Sequence, residues 1–80
     1  MNDVEVVYFA SLQDQAGKDC ETLQVNTQSV AALYEALKGR YGFSLEASYV
    51  NFAVNDSYVQ ADHLIQSGDK VVFIPPVAGG

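Results

Sequence analysis

The chain has 80 residues, 49% of them apolar, and ten acids against four bases give it a net charge of −6. That is enough apolar material for one small core and too much for a disordered chain. The four bases, Lys18, Lys38, Arg40 and Lys70, are scattered and offer no basic face for nucleic acid. One cysteine, Cys20, excludes an intrachain disulfide framework and a cysteine-rich zinc site. No apolar run approaches the ~20 residues of a membrane-spanning helix. The acidic start Met1-Asn2-Asp3-Val4-Glu5 lacks the basic flank of a signal peptide. The expectation is a soluble cytoplasmic domain, without a membrane or nucleic-acid partner, whose acidic surface suits a basic protein face.

In chain order, Val4 to Ala10 is rich in β-branched and aromatic residues and reads as a strand. Ser11 to Ala16 reads as a short helical turn, with Ser11 as N-cap, Asp14 completing an imperfect capping box, and Gly17 as terminator. Glu21 to Val25 alternates and returns as a second strand. Asn26 and Thr27 lead into the main helix, where Val30, Leu33, Tyr34 and Leu37 fall on one stripe. Lys38 and Arg40 suit its C-terminal end, and Gly39 or Gly42 closes it. Tyr49 to Val54 reads as a strand, Asn55-Asp56 as a turn and Ser57 to Val59 as a short return strand. Asp62 is placed to cap a single turn through Ile65, and Ser67-Gly68-Asp69 is a tight turn into a last strand, Lys70 to Ile74.

This order implies an α+β domain over residues 1–74, with one main helix across one face of a mixed sheet. The β-grasp arrangement fits: the first two strands pair antiparallel and the first and last lie side by side in the centre. Two strands are apolar on both sides. Val4, Val6 and Tyr8 alternate against Val7 and Phe9, and Val71 and Phe73 against Val72 and Ile74. One helix covers one face, so the other is expected to meet a partner.

Residues 75–80 read as a tail. Pro75-Pro76 cannot continue sheet hydrogen bonding and favours an extended path. From Pro75 to Gly80 such a thread reaches about 18–20 Å, at ~3.3 Å per residue. Val77 and Ala78 are small, and Gly79 and Gly80 have no side chains, so the backbone can enter a narrow site. The α-carboxylate of Gly80 is therefore the leading candidate for chemistry. A carboxylate is a poor electrophile; a partner would have to activate it, after which a sulfur nucleophile gives a thiocarboxylate or an amine gives an amide.

Other side chains read as structural. Nothing near Cys20 would depress its pKa. His63 has no second ligand at metal spacing, so no metal site is expected. Asp69 reads as a turn residue, like Asp62, and Tyr34 as core.

The segments Val6-Val7-Tyr8-Phe9-Ala10, Val30-Ala31-Ala32-Leu33, Phe52-Ala53-Val54-Asn55 and, above all, Gly68 to Gly80 with its Pro-Pro-Val-Ala-Gly-Gly ending carry a resemblance over nearly the whole chain. The chain resembles the sulfur-carrier family with the ubiquitin-like β-grasp fold, and within it the small subunits of molybdopterin synthase. The resemblance implies that Gly80 is adenylated by an E1-like enzyme using ATP, becomes a thiocarboxylate, and gives its sulfur to cyclic pyranopterin monophosphate. It implies no cofactor bound by the chain itself, and a heterotetramer with the larger catalytic subunit of the synthase. By the same resemblance Gly79 gives clearance, Pro75, Pro76, Val77 and Ala78 belong to the inserted tail, and Phe9 and Ile74 contact the partner. Gln13-Asp14 stands where relatives often carry Arg-Glu, which bears on cross-compatibility of partners. The alternatives are a carrier for thiamine, cysteine or tRNA thiolation, a modifier joined to lysines, and a plain interaction module.

Overall fold

The computed structural model describes residues 1–76; Val77, Ala78, Gly79 and Gly80 lie outside the described residues. Five strands form one mixed sheet, β1 (Asn2–Tyr8), β2 (Cys20–Val25), β3 (Asn51–Val54), β4 (Ser57–Val59) and β5 (Lys70–Ile74), in the order β2-β1-β5-β3-β4. β1 pairs antiparallel with β2 and parallel with β5, which occupies the centre. The short helix α1 (Ala10–Ala16) follows β1, and the main helix α2 (Val30–Tyr41) follows β2. This is the ubiquitin-like β-grasp arrangement expected from the order of elements.

α2 forms where the stripe predicts, and Val30, Leu33, Tyr34 and Leu37 are all buried. Ser29, directly before the stripe, is the N-cap: its Oγ accepts from the Ala32 N–H at 3.1 Å. Gly42, at φ 74°, closes the helix and donates to the Lys38 carbonyl at 2.8 Å. Two more N–H groups at the start of α2 find backbone acceptors across the fold. Val30 donates to the His63 carbonyl at 2.9 Å and Ala31 to the Ala61 carbonyl at 3.1 Å.

That stitching corrects one expectation. Asp62 caps no helical turn through Ile65. Residues 60–63 close a turn from the His63 N–H to the Gln60 carbonyl, Leu64 bridges to Ser29, and Ile65 is fully buried. The carbonyls that a local helix would consume are spent on α2. Two other expectations also shift. Ser11 is not an N-cap: α1 begins one residue earlier, with Phe9 as its N-cap and no side-chain cap. The strand expected from Tyr49 begins only at Asn51, because Ala47–Tyr49 is a 3₁₀ turn. The turns at Gly17, Asn55-Asp56 and Gly68 stand as expected. Asn55 and Asp56 both have positive φ (52° and 72°), as a two-residue hairpin of this hand requires. The Asp69 carboxylate accepts from the Gln66 N–H at 2.8 Å and from the Asn55 amide at 3.0 Å, so it is a turn residue as read.

The core lies between the helices and one sheet face. Its centre is aromatic: Phe73 packs edge-on against Tyr34 (ring centroids 5.2 Å apart) and Phe52 (5.8 Å), with Tyr8, Tyr41 and Phe43 adjoining. Each fully buried ring or branched aliphatic contributes roughly 1.5–3 kcal/mol of burial. The phenol oxygens have partners, as burial demands. Tyr34 donates to the Leu45 carbonyl at 2.6 Å, and burial, with Glu35 and Glu46 nearby, pushes its hydroxyl up to about 12. Tyr8 and Tyr41 both donate to Glu21 Oε2, each at 2.6 Å. Burial pushes the Glu21 carboxyl up, but the two phenols and Lys18, 3.5 Å away, outweigh it and hold it below the ordinary carboxylate value. Among the described residues no helix is long and apolar enough to cross a membrane.

Candidate functional site

The sheet face turned away from the helices is the candidate site. Strand registers place one residue from each strand in a single row across it: Cys20, Val7, Val72, Ala53 and Tyr58. β-alternation makes this unavoidable once Val6, Val71 and Phe52 point into the core. Nearer the end of β5, Ile74 is registered with Asn51, and Phe9 stands one alternation beyond Val7. At the opposite end Lys70 is registered with Glu5.

Val7, Phe9, Ala53, Asp56, Tyr58, Lys70, Val72 and Ile74 line a shallow groove of about 280 Å³ on this face. Its floor, Val72 and Ala53, is well covered, whereas Phe9 is 48% and Tyr58 77% exposed at its walls. Lys70 and Asp56 are the charged groups of the lining. They lie toward the start of β5, and Ile74 lies roughly 13 Å away along the strand. The groove is therefore an apolar trough, charged at one end, with the chain leaving at the other. Ile74 is half-buried, Pro75 is half-buried and Pro76 is exposed. Among the described residues no cluster of His, Cys, Asp or Glu that could hold a metal stands in it. Its lining is mostly apolar.

Both residues expected on a partner face, Phe9 and Ile74, line the groove. Gly80, Gly79, Ala78 and Val77 lie outside the described residues, so no geometry bears on them. Tyr58 is a groove residue that sequence reading missed. The signal was long-range: only the β3–β4 register, with Tyr58 opposite Ala53, brings it there. Cys20 ends the row but is exposed, and the Asp19 carboxylate beside it pushes its thiol up, away from reactivity. His63 is exposed and serves the fold through its backbone.

The Escherichia coli (strain K12) protein named molybdopterin synthase sulfur carrier subunit is 34% identical over 80 residues, covering 96% of this chain and 99% of that one. Small archaeal modifier protein 1 of Haloferax volcanii superposes with a TM-score of 0.80 at 22% identity, over 96% of this chain and all of that one, a likeness of fold. So does a chain from the complex of subunits 1 and 2 of molybdopterin-converting factor from Helicobacter pylori, with a TM-score of 0.67 at 23% identity, over 98% of this chain and 99% of that one. The model of the ThiS family matches residues 6–80. With the β-grasp sheet, the open apolar face and the diglycine sequence in one chain, this protein belongs to the ThiS family.

Proposed function

We propose that this chain is the sulfur carrier of a molybdopterin synthase and that Gly80 bears the sulfur. An E1-like enzyme joins the Gly80 carboxylate to the AMP moiety of ATP, releasing pyrophosphate. Hydrosulfide supplied by a sulfur donor then attacks the acyl carbon: the C–S bond forms as the C–O bond to AMP breaks, AMP leaves, and loss of the sulfur's proton gives a thiocarboxylate. The larger synthase subunit docks on the open sheet face and receives the tail. There the thiocarboxylate sulfur attacks a carbon of cyclic pyranopterin monophosphate, the oxygen substituent on that carbon leaves, and a thioester joins the two. Water then cleaves the acyl C–S bond, leaving the sulfur on the product as a thiolate and restoring the Gly80 carboxylate. The chain supplies no catalytic side chain; it supplies a docking face and a thread. The dithiolene needs two sulfurs, so two carriers or two rounds of charging serve each product, which suits a heterotetramer with a carrier at each end.

The observation that carries this reading is the placement of the groove against the end of β5. An apolar, open face ends at Ile74, and in sequence Pro75-Pro76 follows it directly, four residues before the last glycine. The name of the Escherichia coli relative supports the choice of pathway. The Helicobacter pylori chain, solved with a second subunit, supports a larger partner.

The test is reconstituted molybdopterin formation with the larger subunit, the E1-like enzyme, ATP and a sulfur donor. Deleting Gly80, or adding one untrimmed residue after it, should abolish product while the circular dichroism spectrum stays native. Full activity from an extended chain shown by mass to be intact would exclude the proposal.

A further inference from the structure

Three non-glycine residues among those described have positive φ: Ala10, Asn55 and Asp56. Asn55 and Asp56 make a hairpin turn, where their types are at home. Ala10, at φ 52°, is in no hairpin, and alanine has no side-chain group to offset the crowding of its Cβ there. Such a conformation persists only where the surroundings over-determine it.

They do so from both sides. Before Ala10, Tyr8 is buried, donates its phenol hydrogen to Glu21 Oε2 at 2.6 Å and its N–H to the Asp19 carbonyl at 2.8 Å. After it, Leu12 is fully buried, and the Phe9 carbonyl accepts from the N–H groups of Leu12 (3.1 Å) and Gln13 (3.4 Å). The chain must pass from strand to helix in one residue between two fixed points. The residue left at the corner is Phe9, extended (φ −117°, ψ 150°) and 48% exposed at the groove wall.

We propose that Ala10 is a positioning residue whose left-handed backbone holds the Phe9 ring on the groove as a preformed anchor for the docking subunit. An aromatic anchor already fixed before binding loses less freedom on association and so holds its partner more tightly. This inference rests on the carrier reading above.

The test compares the full-length chain with Ala10→Gly, Ala10→Val and, by chemical ligation, Ala10→D-Ala. Affinity for the recombinant larger subunit of molybdopterin synthase from the same organism is measured by calorimetry, beside the melting temperature of each carrier alone. Glycine and D-alanine accept positive φ, so both variants should bind within about 2-fold of the natural chain. β-Branched valine resists it, so Ala10→Val should bind about 10-fold or more weakly while its circular dichroism stays native. Natural affinity in a folded Ala10→Val, or a weakening in Ala10→D-Ala equal to that in Ala10→Val, overturns the inference. If Ala10→Val does not fold, weakened binding by Ala10→Gly or Ala10→D-Ala still overturns it, and unchanged binding by both supports it. No binding by the natural chain would instead contradict the carrier reading, and this inference with it.

Discussion

Phe73 and Ile74 are neighbours in β5 and face opposite ways: Phe73 is fully buried among aromatic rings, and Ile74 is half-buried on the open groove. One peptide bond thus separates the part of the strand that holds the fold from the part that lines the open groove. Phe73→Ala empties the centre of the core and should cost about 3–5 kcal/mol, much of the stability of so small a domain. Ile74→Ala should cost under ~1.5 kcal/mol and weaken docking of the larger subunit by about 10-fold. Chemical denaturation and calorimetric titration of the two variants check this opposition. Equal stability losses would contradict it.

The Glu21 carboxylate gives the fold a pH dependence with a definite sign. Its folded pKa is held below the ordinary value by the phenols of Tyr41 and Tyr8 and by Lys18, against the pull of burial. A depressed folded pKa contributes stability that is present above the unfolded pKa, about 4.3, and is lost as pH falls through the lower folded value. Glu21→Gln should therefore cost ~1–2 kcal/mol at pH 7, a fall in Tm of roughly 5–15 °C. Thermal melts at decreasing pH should show the two proteins converging as the pH falls below the unfolded carboxylate value and through the lower folded one.

Tyr34 has the opposite sign at the other end of the scale. Its hydroxyl is pushed up to about 12, burial being the main cause. The neutral form is favoured in the fold, so its contribution is complete below the unfolded pKa of about 10 and is lost as pH rises toward the folded value. Tyr34→Phe should cost about 1 kcal/mol at pH 7 by stranding the Leu45 carbonyl. It should also lose less stability than the natural chain in melts between about pH 9 and 11.

Gly79 should tolerate no β-branched residue in function and almost any in folding. Gly79→Val adds bulk and restricts φ where, on the proposed function, the thread enters an active site. Product formation should fall at least ~10-fold with Tm unchanged within about 1 °C, because the last strand ends at Ile74, before the tail. A large fall in Tm would mean that the tail is part of the fold.

Much of this was legible in the sequence because it rests on local pattern. The stripe Val30, Leu33, Tyr34 and Leu37 fixed α2, and the doubled apolarity of the first and last strands announced both their central place and the open face. Gly17, Gly42 and Gly68, all at positive φ, marked their turns. What the sequence hid depends on contacts between distant segments. Nothing in Tyr58 foretells the groove until the β3–β4 register is known. Nothing in Glu21 tells that phenols from β1 and the end of α2 converge on one oxygen. Ala10 carries no sign of a left-handed backbone, since nothing in an alanine side chain favours one, and Asp62 lost its cap to carbonyls recruited by α2. Ser29 was the exception: a serine directly before the stripe is a local cap signal that could have been read.

The central claim is that Gly80 is charged with sulfur, and intact mass spectrometry tests it most directly. The chain would be measured as isolated from its own cells under non-reducing conditions, and again after incubation with its E1-like enzyme, ATP and a sulfur donor. A species in which one oxygen has been exchanged for sulfur, located to Gly80 by fragmentation, is the expected result. A Gly80 carboxylate unchanged in both samples would contradict it.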